Sequence, residues 1–442
     1  MSDLAAHSVV ELAGLLRAGE LGAAELAAAC FDAIAAREGE LHAWAHLDRA
    51  AVMAWARKLD SFPADERGPL HGIPVGVKDI IDTADQTTEY GSPIYAGHRP
   101  ADDAEVVARL RAAGAVVIGK TVTTEFALFR AGPTTNPHDV SRTPGGSSSG
   151  SAAAVGAGTV PLALGTQTAG SVVRPASYCG VVGVKPTFGA IPTHGIKPCS
   201  PALDTVGVFT RDVSGAAYAL RALSYPAPGG LGAPSAPDAG GAVDALRAHD
   251  LGSRERVRVG FARTTEWPLI PAATRTLVEQ AVDRVAADLE VEEIELPFAG
   301  LVEAQACVMN VEASQSLSRE RAHHADQLSP VLLDVLRAGD HAAWAYEAAR
   351  GYVELCRHLL ETVLAPVDVL LVPSVLGEAP RLEDGTGDPL LCRAWTALGT
   401  PAVSVPGLTG PAGLPLGMQV VAAPGRDDLA LVGAQQVGEF LR

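Results

Sequence analysis

The sequence has few cysteines, an excess of negative over positive charge, and no long apolar run. Its six cysteines (Cys30, Cys179, Cys199, Cys307, Cys356, Cys392) are widely scattered, and none forms a CxxC pair. No histidine cluster has zinc spacing, so no structural metal is expected; the pattern suits free thiols in a reducing cytoplasm. Lys and Arg total 34 against 51 Asp and Glu, a formal net charge of −17. A nucleic-acid binder would need a basic face, so nucleic acid is not an expected partner, although a local basic pocket for a small anion remains open. The apolar runs are much shorter than a membrane span, which excludes a membrane protein of that kind. The opening MSDLAAHSVVELAGLL has neither the basic n-region nor the long apolar h-region of a signal peptide. A cytoplasmic location is therefore expected. There is no internal repeat.

A large core is well provided for. The 442 residues are 48% hydrophobic and 19% charged, enough for one large domain or two to three ordinary ones and far from a disordered composition. Residues 8–60 read as helices. Val9, Leu12, Leu15 and Leu16 share a helical face behind Ser8 as N-cap, and Leu21–Arg37 is an Ala-rich helix. Ile73–Val77 reads as a buried strand, Ala104–Ala113 as an amphipathic helix, and Ala115–Ile118 as a β-branched strand. Ser151–Gly158 reads as a tightly packed helix. Strands are expected at Leu162–Leu164, Val181–Val184, Val257–Phe261, Val367–Val372, Ala402–Val405 and Leu416–Val421. Long helices are expected at Pro271–Leu289 and His341–Leu364. The alternation predicts an α/β core with partly parallel strands. Tyr225–Gly241 is linker-like, and reads as a surface excursion because helix–strand patterning resumes after it.

The chemistry concentrates in Pro144–Gly180, PGGSSSGSAAAVGAGTVPLALGTQTAGSVVRPASYCG. Gly, Ser and Thr crowd around two short apolar runs, too regularly for a solvated linker. Two tempting patterns compete nearby. Gly114–Thr121 matches a Walker A motif, but its middle residues Ala115, Val116, Val117 and Ile118 favour a strand over a phosphate-cradling loop. Gly146–Gly150 matches GxSxG around Ser148, yet the polar, Pro-broken Asn136–Pro144 cannot supply the strand that a nucleophile elbow requires. A Ser-rich helix N-terminus is the alternative for Ser148.

A third pattern joins Lys78, Ser147 and Ser171. Lys78 ends an apolar strand in GIPVGVKDIID, where desolvation favours the neutral amine, and a neutral lysine can act as a general base. Ser171 closes GTQTAGS, a turn of small residues whose successive N–H groups can point into a cavity and stabilise an oxyanion. Ser147 could relay the proton between them. Taken singly, Lys78 reads as a snorkelling strand-end lysine and Ser171 as a turn serine.

The long segments HGIPVGVKDIID, PGGSSSGSAAAVGAG and PLALGTQTAGSVVRPASYCGVVGVKPT resemble the amidase signature family. So do LRAAGAVVIGKTVTTEF, LDTVGVFTRDV and GTPAVSVP with GLPLGMQVVA, so the resemblance covers most of the chain. It implies an α/β amidase-signature fold, with a large central mixed β-sheet flanked by helices on both faces. The whole chain 1–442 would form a single domain, with the signature core at about 60–220 and 242–442 as its C-terminal part. It also implies roles by position: Ser171 as nucleophile, Ser147 as bridging serine after a cis peptide bond, Lys78 as base. The backbone N–H groups of Thr168, Ala169, Gly170 and Ser171 would form the oxyanion hole. No metal or organic cofactor is implied.

Two departures matter. The common family pattern has Asp and Gly where this chain has Gln167 and Ala169, and Gln167 is placed among the substrate-binding residues. The usual arginine two residues after the nucleophile is replaced by Val173, and Arg174 follows. This SVxRPA form, with TEYGSPIY upstream, is similar to a malonamidase-like subgroup, which implies that Arg174 grips a free substrate carboxylate with its guanidinium fork. The alternative is a structural Arg174 paired with an internal carboxylate. The expected reaction is hydrolysis of a small carboxylic amide, best guessed as a monoamide of a short dicarboxylic acid, through an acyl-enzyme on Ser171. An acyl transferase, an amidotransferase subunit working in a tRNA-linked complex, and remotely a P-loop nucleotide binder are the rivals. Analogy with the subgroup allows a homodimer. Phe126, Phe129, Trp395 and Cys199 are left open between pocket lining and core.

Overall fold

In a computed structural model, residues 7–224, 256–340 and 343–441 are described. The linker-like Tyr225–Gly241 and the start of the helix expected from His341 lie outside them. Eleven strands are assigned in chain order: β1 Trp44–Leu47, β2 Pro74–Lys78, β3 Val116–Thr121, β4 Leu162–Gln167, β5 Val182–Lys185, β6 Thr205–Thr210, β7 Val259–Phe261, β8 Val291–Glu293, β9 Val369–Pro373, β10 Ala402–Thr409 and β11 Pro415–Val421. They join one sheet in the order β1-β3-β2-β4-β6-β5-β10-β11-β9-β7-β8. The sheet is mixed. β2 runs parallel to β3 and β4, and β7 parallel to β8 and β9, whereas the strands from β4 through β6, β5, β10 and β11 to β9 pair antiparallel. Nearly every inner strand is buried along its whole length, as apolar runs covered on both faces should be.

The expected strands are all present, some extended at one end, others starting one or two residues later than expected, as at Val259–Phe261 and Val369–Pro373. Val9–Ala18 begins at Ser8, whose hydroxyl accepts from the Glu11 N–H while the Glu11 carboxylate accepts from the Ser8 N–H, a reciprocal capping box. The helices at Ala272–Ala286 and Ala343–Leu364 also stand where the apolar period placed them. The helical reading of residues 8–60 missed β1. Its WAHL alternates weakly, and it is held at the sheet edge by antiparallel pairing to β3. The Walker-like stretch is strand β3 and not a loop. Lys120 is fully buried there, with its Nζ donating to Ile81 O and, at 2.7 Å, to Thr88 Oγ1, so no phosphate cradle exists.

This topology positions the site. β2 and β4 are neighbouring parallel strands in register from Val75↔Leu162 to Val77↔Leu164. Their C-terminal ends therefore open at the same edge of the sheet, carrying Lys78 on β2 and the turn 168–171 after β4. β6 runs antiparallel to β4 with Thr205 opposite Gln167, which brings Asp204 beside that turn. Two apolar clusters lie behind it. The larger packs strands β2–β6 against the N-terminal helices. The second gathers Ala169, Val173, Leu203, Met309, Cys392 and Trp395 around the helices Leu301–Ser316 and Leu390–Ala397. Among the described residues no helix is long and apolar enough to cross a membrane.

Candidate active site

The Ser-rich half of the signature is a fastening. The helix Ser149–Gly156 is buried along nearly its whole length. Its hydroxyls tie it to the strands beneath: Ser151 Oγ donates to Leu164 O at 2.8 Å and lies 2.7 Å from Thr121 Oγ1. Ser148 Oγ donates to Thr166 O at 3.2 Å and accepts from Thr166 N–H at 3.3 Å. A side chain at Gly165 would meet Ser148 Oγ at 2.7 Å and Phe209 at 2.6 Å, so that strand position needs glycine. Ser148 is thus engaged with a strand backbone, which removes it as a nucleophile. The Gly146–Ser147 peptide bond is cis.

Ser147 faces elsewhere. Lys78 Nζ donates to Ser147 Oγ at 2.7 Å and to Thr166 Oγ1 at 2.8 Å. Lys78 is 0% exposed. Burial is the main influence on its amine and lowers its pKa from 10.5 to about 7, while the Asp204 carboxyl nearby works weakly in the other direction. The uncharged amine is therefore accessible near neutral pH. A neutral amine can accept the Ser147 proton across the same contact. Asp204 is itself pushed up to about 6 by burial, against the hydrogen bonds it receives from the Thr168 hydroxyl and from the Cys199 and Ser200 N–H groups.

Ser147 and Ser171 line one narrow cavity of about 20 Å³, together with Phe129, Thr168, Ala169, Arg174, Met309 and Thr386. Among the described residues the Ser171 hydroxyl has no hydrogen-bond partner. The turn leading to it is held from outside. Thr168 O accepts from Gln305 Nε2 at 2.9 Å, Ala169 O from Thr396 Oγ1 at 2.7 Å, and Gly170 O from Arg174 N–H at 3.0 Å. In a planar trans peptide the C=O and the following N–H point in opposite directions. Fixing these three carbonyls outward therefore aims the N–H groups of Ala169, Gly170 and Ser171 the other way. None of those three N–H groups has an acceptor within the described residues. Such a turn can accept a developing oxyanion.

Gln167 does not face substrate. It is fully buried, its Nε2 donates to Thr396 Oγ1 at 2.9 Å, and its Oε1 accepts from Val172 N–H at 2.9 Å and Val173 N–H at 3.0 Å. It closes the run of free N–H groups just after Ser171 and fastens the turn to the helix Leu390–Ala397. Both ends of the Gln167 amide, expected at the substrate, are engaged within the protein. Ala169 sits in the turn without a positive φ.

Arg174 lines the cavity, but its guanidinium is occupied. Nη2 donates to Gly146 O and, at 3.4 Å, to Thr386 Oγ1; Nη1 donates to Gly387 O; Nε alone is buried without a partner. This is nearer the structural alternative than the carboxylate clamp, with carbonyl oxygens where an internal carboxylate was expected. Phe129 lines the cavity, whereas Phe126, Trp395 and Cys199 are core. Gln305 and Thr396 escaped the sequence reading, because each acts on the turn from more than 130 positions away.

The amidase family model matches residues 25–431, and the chain belongs to the amidase family. It is an amide-hydrolysing enzyme of the amidase-signature fold. Among curated relatives, a glutamyl-tRNA(Gln) amidotransferase subunit of Acidothermus cellulolyticus is 35% identical, over 98% of this chain and 94% of that protein. The native peptide amidase of Stenotrophomonas maltophilia superposes with a TM-score of 0.83 at 31% identity, covering 98% of this chain and 97% of that one. A structure described as a vestigial protein complex that reveals the origins of an s-triazine catabolic enzyme superposes with a TM-score of 0.89 at 28% identity, covering 98% of both chains.

Proposed function

We propose that the protein hydrolyses a small carboxylic amide through Ser171, Ser147 and Lys78. The observation that carries this reading is the 2.7 Å contact between a wholly buried Lys78 and Ser147, at the cavity that also holds Ser171. Neutral Lys78 takes the Ser147 proton as Ser147 takes that of Ser171, and Ser171 Oγ attacks the amide carbonyl carbon. The oxyanion is received by the N–H groups of the 168–171 turn. Collapse breaks the C–N bond, the proton returns through Ser147 to the leaving nitrogen, and the amine or ammonia departs. Water, deprotonated along the same route, then releases the acid from Ser171. The narrow cavity favours a small acyl group, and the whole chain works as one domain because a single sheet spans both halves.

A panel of small amides assayed for ammonia or amine release tests this. Turnover by the parent that vanishes in Ser171→Ala, with the fold retained, supports the mechanism; full activity in Ser171→Ala refutes it.

A second reading rests on the curated relatives. Their naming as components of a glutamyl-tRNA(Gln) amidotransferase favours a protein that releases ammonia from glutamine inside a complex. Co-purifying partner proteins together with glutamine turnover would favour it over a free-standing amidase. Acyl transfer to an amine, using the same acyl-enzyme, is separated from hydrolysis by product analysis with added hydroxylamine.

A further inference from the structure

The cavity at Ser171 opens past Phe129, Thr386 and Pro389 into a wider vestibule that shares those three residues with it. Among the described residues one cation lines the vestibule, Arg393, on the helix Leu390–Ala397 one turn beyond Pro389. Its Nη1 donates to Gln305 Oε1, its single hydrogen bond among the described residues, and Nε and Nη2 remain open. Gln305 is fully buried, and its other amide atom holds Thr168 O. Arg393 therefore stands one side chain away from the turn that receives the oxyanion. Arg174, the arginine the sequence offered for this task, has both Nη groups on backbone carbonyls.

Four acids line the vestibule beside Arg393, and the Asp388 carboxylate acts on its guanidinium without forming an ion pair. Glu378 accepts the N–H groups of Ala412 and Leu414, and Asp388 caps Leu390 N–H. Glu383 and Asp384 are exposed at the vestibule rim. No ion pair to Arg393 forms among the described residues.

Resting on the amidase reading above, we propose that Arg393 is the specificity-determining residue that receives a free carboxylate on the substrate. The substrate class is a monoamide of a short dicarboxylic acid. Its amide lies at Ser171, and its carboxylate lies in the vestibule, separated by the span of the Gln305 side chain and the Thr168 carbonyl. Two open donors on one planar guanidinium suit a carboxylate better than a neutral polar group. Gln305 is the positioning residue between the two sites.

The test reads binding separately from turnover. Succinamate, glutaramate and adipamate are titrated by calorimetry into the Ser171→Ala protein, alongside butanamide, pentanamide and hexanamide as neutral matches. At least one carboxylated amide should bind about 10- to 100-fold tighter than its match, the range of one charged hydrogen-bonded contact. Arg393→Met in the same background should erase that gap, Arg393→Lys should retain part of it, and Arg174→Lys should leave it in place. No preference in Ser171→Ala, or a preference that survives both Arg393→Met and Arg393→Lys, overturns the proposal. So does a preference lost in Arg174→Lys but kept in the Arg393 variants. If the carboxylate preference tracks Arg393 while the Ser171-containing parent cleaves no amide, the subsite stands and the mechanism falls. If the parent cleaves amides with no carboxylate preference, the mechanism stands and the subsite falls.

Discussion

The pH dependence of Ser171 reactivity is the most direct reading of the buried lysine. Burial lowers the Lys78 pKa from 10.5 to about 7. At pH 7 this leaves about half of the amine neutral, whereas an unshifted lysine would be neutral about once in 3,000 molecules. The base is thus made available about a thousandfold more often by its surroundings than by its chemistry. A fluorophosphonate probe that labels activated serines measures this without knowledge of the substrate. The second-order labelling rate should climb about tenfold per pH unit below the limb, bend near pH 7, and level off above it. Asp204→Asn removes the carboxyl that opposes the shift, so its limb should move to lower pH. Lys78→Met should lower labelling by about 10²–10⁴ on the plateau above pH 7, with the gap closing as pH falls. A rate that ignores pH between 5 and 9, one that still climbs through pH 10, or labelling of Lys78→Met at a tenth of the parent rate on that plateau would refute the role assigned to this amine.

Four further outcomes follow from the geometry. Ser171→Ala should lose at least about 10³ in kcat while its melting temperature stays within about 2 °C of the parent, because its hydroxyl bonds to nothing among the described residues. Gln167→Ala frees the Val172 and Val173 N–H groups and the Thr396 hydroxyl. It should cost about 1–3 kcal/mol in urea denaturation and lower kcat more than it raises KM. Arg174→Met leaves one buried and one part-buried carbonyl without donors and should cost about 2–4 kcal/mol, a fall of roughly 2–4 °C in melting temperature, with equal activity losses on charged and neutral amides. Lys78, Lys120 and Lys185 are held at about 7, 8 and 7 by burial, all below their ordinary 10.5. The unfolded chain binds more protons than the native one from pH 7 upward, so these lysines should make urea midpoints rise between pH 7 and 8.5, and Lys185→Met should flatten that slope.

Much of this was legible in the linear sequence for a physical reason. Lys78, Ser147 and Ser171 sit in short segments whose immediate neighbours dictate their setting. An apolar strand buries Lys78, and small residues keep the backbone around Ser171 open. Most strands of the sheet interior were equally clear, because burial on both faces leaves an uninterrupted apolar run. The roles of Gln167 and Arg174 were not legible, since each depends on partners supplied by distant chain. Gly387 O lies 213 positions beyond Arg174, and Thr396 Oγ1 lies 229 beyond Gln167. β6 also escaped, although its TVGVFT is buried throughout. Its glycine looks like a break until Val184 O, 2.5 Å from where a Gly207 Cβ would stand, shows why no larger residue fits.

The turn that carries Ser171 hangs between two regions of the chain. Lys78, Ser147 and Ser171 all arise before residue 180, whereas Gln305, Thr386, Arg393 and Thr396 all arise after residue 300. On the proposed reading, bond-breaking and selection are encoded in separable lengths of sequence that meet at Thr168 and Ala169. Drift in the later length can retune which molecules are accepted while the earlier length stays untouched. A chimera that keeps this chain through β6 and takes the remainder from another amidase should inherit the second parent's choice of substrate and retain the first parent's pH limb.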